Sequence, residues 1–333
     1  MPTARSYQRS FGGGIVSPEM FGRVDDVKYQ TGLAECQNFI VRPQGAVERR
    51  AGTHLVREAK YHDQPVRLIP FTFSTDQTMV VELGHYYIRF HTLGATLMAS
   101  PSTPYELVTP YHGNALFDIH YVQSSDVMTL VHPQYPPQEL RRYGALDWRL
   151  QSIDFGVGAG PTGLSASPAV AVIPEGSATS TYHYTVARID VATGVESAAA
   201  SPVSVTNNLY VSGNMNVVLW DNAGPGTEYM VYKWGAGMYG FIGRTDQSQF
   251  TDDNIAPDMS RTPVRWDPVF SGENNYPSAV TYYEQRRVFG GTIAQPQNIW
   301  MTRSGTESDM TYTIPVRDDN RIAFRVASRE SNA

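Results

Sequence analysis

From Val66 the chain alternates. Val66-Arg67-Leu68-Ile69-Pro70-Phe71-Thr72-Phe73 places successive side chains on opposite faces of an extended segment, the period of a half-buried strand. Thr78 to Leu83 follows as an apolar run of the fully buried kind, and Tyr87-Ile88-Arg89-Phe90-His91 alternates again after a turn at Gly84-His85. The spacing predicts a three-strand meander. Asp118 to Gln123, Asp126 to Val131 and Gln138 to Tyr143 repeat the same order of alternating, apolar and alternating strands, and Trp148 to Phe155 supplies a further one. After Pro268 the pattern returns: Ala279 to Gly291 reads as two strands around Glu284-Gln285-Arg286, followed by Ile299 to Thr302 and Arg321 to Val326. Self-similarity at a period of roughly 50 residues, each unit a small antiparallel sheet, predicts propeller-like blades, with a plain sandwich as the alternative. The last blade reads as cut off at Ala333, with no closing strand in view.

A different pattern interrupts the array. Gly156 to Gly163 reads as a flexible glycine-rich joint and a domain boundary. Beyond it the strands are short and regularly punctuated: Ser180 to Asp190, Val203 to Ser212, Asn216 to Asp221, Glu228 to Trp234, Gly240 to Gly243 and Ser248 to Thr251. Pieces of this length predict a seven-stranded β-sandwich. Tyr182-x-Tyr184-x-Val186-x-Arg188, Glu228 to Lys233, Gly240 to Gly243 and Phe250-Thr251-Asp252-Asp253-Asn254-Ile255-x-Pro257-Asp258 resemble a fibronectin type III domain in order and spacing. The expected organisation is an all-β chain: an irregular N-terminal arm over 1–60, first blades over 61–158, an inserted sandwich over 163–268 and a resumed blade over 269–333.

The arm is broken by Gly12-Gly13-Gly14, Ser17-Pro18 and Arg42-Pro43-Gln44-Gly45 into pieces too short to bury a core of their own. Its best helical stretch is Tyr29 to Phe39, with Asp25-Asp26 placed to cap the first turn. A segment without a core needs a partner surface, and Phe11, Phe21, Arg23, Arg42, Arg49 and Arg50 are the candidate contacts. The Gly-Gly-Gly-Ile-x-Ser-Pro opening, the Asn38-Phe39-Ile40-Val41-x-Pro43-Gln44-Gly45 turn and Arg49-Arg50-x-Gly52-Thr53 resemble the N-terminal region of tail nozzle proteins of short-tailed bacteriophages. The resemblance implies a virion subunit made in the bacterial host cytoplasm. It also implies a ring, a hexamer, beneath portal and adaptor that continues the DNA channel and carries tail fibres. In that family the chain runs well beyond the length seen here, which puts closure of the propeller in question.

Composition narrows the chemistry. The chain has 333 residues, 41% hydrophobic and 17% charged, with 20 Tyr, 13 Phe, 28 Gly and 22 Pro, which suits strands joined by tight turns. Net charge is -6 and pI about 5.8. Residues 1–60 carry nine Lys+Arg against six Asp+Glu, whereas 164–269 carry ten acidic against five basic residues. Such a chain lacks a phosphate-neutralising stripe, so DNA is expected to pass without specific binding. Arg49-Arg50 and Arg286-Arg287 are adjacent basic pairs, suited to phosphate or to an acidic neighbouring subunit. No apolar run reaches the roughly 20 residues of a membrane helix, and Met1 to Val16 has no secretory apolar core, so no membrane anchoring is expected. Cys36 is expected to be a small buried hydrophobe.

No catalytic constellation emerges. Adjacent carboxylates at Asp25-Asp26, Asp252-Asp253 and Asp318-Asp319 point to opposite faces of a strand and suit turns and caps rather than a hydrolytic pair. Asp252, Asp253 and Asp258 form a weak calcium-loop candidate without EF-hand spacing. His112, His120 and His132 match no zinc template, and neither a phosphate loop nor a nucleophile elbow is present. The expectation is a structural, non-enzymatic chain without cofactor. Two other readings stand beside it: a carbohydrate-binding or glycan-degrading tail component using Trp220, Trp234 and Tyr239, and a head-completion plug that retains packaged DNA.

Overall fold

The computed structural model describes residues 7–74, 77–170, 178–222 and 224–327. It divides into two compact units, Met1–Glu58 and Ala59–Ala333, and strand dominates it, so the chain is mainly β. Among the described residues no helix is long and apolar enough to cross a membrane.

In the leading unit β1 (Gly14–Ile15) pairs in parallel with β2 (Gly32–Leu33), and β3 (Phe39–Val41) pairs antiparallel with β4 (Val47–Arg49). The helix α1 spans only Val27–Gln30, which corrects the longer helix expected over Tyr29 to Phe39. Asp26 caps it as predicted, its carboxylate accepting from the Lys28 amide at 2.7 Å. Gly32 ends it by joining β2, where a Cβ would lie 2.4 Å from Val16 Cγ1 and 2.8 Å from the Lys28 carbonyl. Close backbone approach overrides the helical spacing of Leu33, Cys36 and Ile40.

The second unit opens with the expected meander of β5 (Arg67–Thr72), β6 (Thr78–Gly84) and β7 (Tyr87–Thr92). The short pieces β8 (Ala95–Thr96), β9 (Met98–Ser100) and β10 (Thr103–Pro104) lead to β11 (Glu106–Val108), which adds to the outer side of β7. A three-residue strand is too short to show a period, so the sequence does not reveal β11. The next sheet runs in chain order, β12 (His120–Ser124), β13 (Val127–His132), β14 (Tyr135–Gly144) and β15 (Asp147–Ser152). The two sheets pack through Ile69, Phe71, Val81, Ile88 and Phe90 against Met128, Leu130, Leu140 and Trp148, with Trp148 stacked on Phe90 at 4.2 Å. Gln123 ties their first strands together, donating to the Thr72 carbonyl at 2.7 Å.

The interrupting module is a sandwich. Its strands are β16 (Ser165–Ala169), β17 (Ser180–Asp190), β18 (Val203–Asn207), β19 (Met215–Leu219), β20 (Thr227–Gly235), β21 (Met238–Thr245) and β22 (Gln249–Asp252). They form a three-stranded sheet, β16-β19-β22, and a four-stranded sheet, β18-β17-β20-β21. Tyr184, Val186, Val218, Trp220, Tyr229, Val231 and Ile242 fill the space between. β16 escaped the sequence reading because Pro168 argues against a strand; the structure accommodates it at a sheet edge, where a missing N–H leaves no ladder bond unmade. The glycine-rich stretch before it is no loose joint. Gly158 O accepts from the Ala198 amide at 2.8 Å, and a Cβ at Gly160 would sit 2.6 Å from the Ala198 carbonyl, so glycine serves close packing here.

The last sheet, β23 (Ala279–Tyr283), β24 (Arg286–Gly290), β25 (Asn298–Met301) and β26 (Ile322–Arg325), again runs in chain order. Phe289, Trp300, Phe270 and Met310 meet Val131 and Phe155 in a second inter-sheet core. Arg287 is fully buried there and donates to Glu139 on β14 at 2.6 Å and also to Glu307. Arg286 donates to the carbonyls of Thr302, Asn320 and Asp318 at 2.8, 2.6 and 2.7 Å. The pair that the sequence offered to phosphate or to a neighbouring subunit is thus internal, holding sheet to sheet and loop to strand.

Candidate docking surface

The leading unit has almost no interior. Val16 is its only buried hydrophobic side chain among the described residues, while Tyr7, Ile15, Phe21, Val24, Val27, Phe39, Ile40, Leu55 and Val56 are exposed. Two depressions open on it. One, of about 630 Å³, is lined by Tyr7, Val16, Phe21, Val24 and Tyr29; the other, of about 400 Å³, by Phe11, Leu33, Cys36, Phe39 and Val47. Surfaces of this kind mark contact sites, because scattered glycine turns cannot fold the apolar residues inward.

Of the sequence-selected residues, Phe11 lines the smaller depression and Phe21 the larger, while the four arginines lie outside both linings. Phe11 is half-buried, and its amide donates to Gly45 O at 2.8 Å, which sets it beside the β3–β4 turn. That turn depends on Gly45 at φ +94°, a left-handed backbone favouring glycine. Arg42 pairs with Glu48 across the hairpin, Arg49 is exposed opposite Phe39, and Arg50 donates to Asn38 Oδ1 at 2.8 Å. Phe21, half exposed, belongs to the larger depression, and Arg23 close by pairs with Asp25 at 3.0 Å. That hydrogen bond holds the Asp25 carboxyl below its ordinary range and raises the guanidinium. Sequence reasoning did not select Tyr7, Ile15, Val24, Val27, Phe39 and Ile40, which the structure leaves exposed on the same unit. The available signal was apolar residues without either secondary-structure period in a segment lacking a core.

The other candidates resolve as follows. Asp252 is fully buried: Oδ2 pairs with Lys233 Nζ at 2.7 Å and accepts from the Tyr184 hydroxyl at 2.5 Å, while Oδ1 accepts from the amides of Asn254 and Ile255 at 3.0 and 2.7 Å. Asp258 Oδ1 accepts from the Ser260 amide and hydroxyl at 2.9 and 2.7 Å, and Asp253 stays exposed. Two of the three calcium-candidate carboxylates, Asp252 and Asp258, are thus engaged in an ion pair and in turns, and no group of three His, Cys, Asp or Glu suited to a metal occurs among the described residues. His112 caps a 3-10 turn, accepting from the Asn114 amide at 3.2 Å, and His120 is exposed. His132 is buried; its Nδ1 accepts from the Gln134 amide at 3.0 Å, and burial lowers its pKa. Cys36 is half-buried and lines the smaller depression, which corrects the expectation of a core thiol. Trp220 is core, whereas Trp234 is half exposed.

No protein-family model matches the chain, and no curated protein matches it either.

Proposed function

We propose that this chain is a structural subunit of the tail nozzle of a short-tailed bacteriophage, part of a ring-shaped conduit through which DNA leaves the virion. The carrying observation is the coreless leading unit, whose apolar residues surround two open depressions and can be buried only against another surface. A heterologous contact of this kind, repeated around an axis, closes a ring; adaptor and fibre proteins are the further partners in this reading. The resemblance of the opening, the Pro43-Gln44-Gly45 turn and Arg49-Arg50 supports the same assignment. The acidic balance of the chain and the internal use of Arg286 and Arg287 suit passage of duplex DNA without a grip on its phosphates. On this reading the chain is not an enzyme.

Native mass spectrometry and electron microscopy of the purified chain test the proposal. The expected result is a ring of several copies that Phe21→Asp and Phe39→Asp, both on exposed residues, reduce to monomers without altering the circular-dichroism spectrum. A chain that stays strictly monomeric at high concentration overturns the ring. Within a virion, a density at the portal mouth rather than along the tail axis points to a plug instead of a conduit.

A further inference from the structure

The hairpin of β20 and β21 carries a second surface that the docking arm does not explain. Trp234 and Tyr239 face each other across it, ring centroids 5.0 Å apart at 69°, with Trp234 46% exposed. They open on a groove of about 390 Å³ that also takes in Pro202, Pro263, Arg265 and Ile314. The hairpin is held rigidly. A Cβ at Gly240 would stand 2.9 Å from both Pro257 and the Asp258 carbonyl, and the Phe241 amide donates to Asp258 O and Arg261 O at 3.1 and 2.9 Å. Arg265 is equally fixed at its backbone, exchanging bonds with Tyr312 at 2.7 and 2.9 Å. Its exposed guanidinium has no partner among the described residues, whereas nearby Arg321 is paired with Asp267. No residue lining the groove carries a carboxylate.

We infer that this groove binds an oligosaccharide containing an acidic sugar, the pyranose ring lying on Trp234 and its carboxylate meeting Arg265. A pyranose presents a face of C–H groups that an indole covers without loss of polar hydration, and a guanidinium recognises a carboxylate in a two-bond fork. Mostly apolar walls with one charged group are the usual make-up of a small-molecule site. The lone Arg265 lies in a module of ten acidic and five basic residues, which disfavours a strand with a charge at every unit and suits a glycan whose acids are spaced apart. A groove without carboxylates has no general acid for glycoside cleavage, so the activity is binding and not hydrolysis. None of the residues lining the groove belongs to the arm, so sugar binding and ring assembly are read by separate measurements.

Calorimetric titration of the full chain tests it with three probes: a hyaluronan tetrasaccharide, neutral cellotetraose and single-stranded octathymidylate. Saturable binding of the hyaluronan tetrasaccharide is expected, about tenfold tighter than cellotetraose. Arg265→Gln should bring the acidic sugar down to the neutral level, and Trp234→Ala should abolish both. Each side chain reaches solvent, so circular dichroism should stay unchanged; if Trp234→Ala misfolds, Arg265→Gln alone decides. No saturable binding at millimolar sugar, equal affinity for the neutral probe, tighter binding of octathymidylate, or a response unaffected by either substitution each overturns the inference.

Discussion

The leading unit and the sheets that follow it use the same residue types to opposite ends. In the body, aromatic side chains interlock: Phe71, Phe90 and Trp148 lie within one core, and Phe155, Phe270, Phe289 and Trp300 within another. In the arm, Phe21, Phe39 and Ile40 stand in solvent. Charges differ in the same way. Arg287 and Asp252 are fully buried with paired partners, whereas Arg42 and Glu48 meet at the surface. Removing one member of a buried pair strands a charge in a poor solvent, while an exposed pair is replaced by water at little cost. The contrast shows that the body is stabilised from within, whereas the arm leaves most of its apolar residues exposed.

Four experiments press on that contrast. Asp252→Ala should cost about 3–5 kcal/mol in urea unfolding, because Lys233 loses its counter-ion and buried donors lose their acceptor. Added calcium should leave the wild-type midpoint unmoved; a calcium-dependent rise would return the loop to metal binding. Phe289→Ala should likewise cost about 3–5 kcal/mol through the cavity it leaves, while Phe21→Ala should stay within about 0.5 kcal/mol for the dissociated chain. Equal losses at the two positions would mean that the arm has a core after all.

Acid should weaken the body through His132. Burial lowers its pKa from the ordinary 6.5, with Asp118 opposing the shift in part. Below 6.5 the unfolded chain takes up a proton that the folded one resists, so stability falls as pH drops and levels off under the folded value. His132→Asn should flatten that slope, measured by thermal melts between about pH 7 and 5. The smallest effect concerns the β23–β24 turn, where Glu284 and Gln285 sit at φ +46° and +60°. Side chains with a Cβ are strained there, and replacing the pair with Asn-Gly should raise stability by about 1 kcal/mol.

Much of the body was legible along the chain. Period-two alternation in 66–73 marked β5 because Ile69 and Phe71 face the core while their neighbours look outward; the same pattern found β7 and β12, although Tyr87 to Phe90 are all buried in the fold. What failed did so for local reasons. β11 is too short to carry a pattern, and β16 contains a proline that only an edge position tolerates. The expected helix after Tyr29 yielded to a parallel pairing between distant glycines, Gly14 and Gly32. For the candidate surfaces, the sequence pointed to the arm through its glycine turns but selected its arginines more readily than Val24, Val27 and Ile40.

Alternation, turn residues and composition by themselves fixed a mainly β chain, a change of character near residue 160 and an arm without a core, since these depend on neighbours a few residues apart. Only the tertiary structure decided which charges are internal. Arg287 meets Glu139 from 148 positions away, and Trp220 and Trp234, alike in sequence, end in a core and on a groove. Burial depends on what the rest of the chain brings alongside, and no short stretch of sequence carries that information.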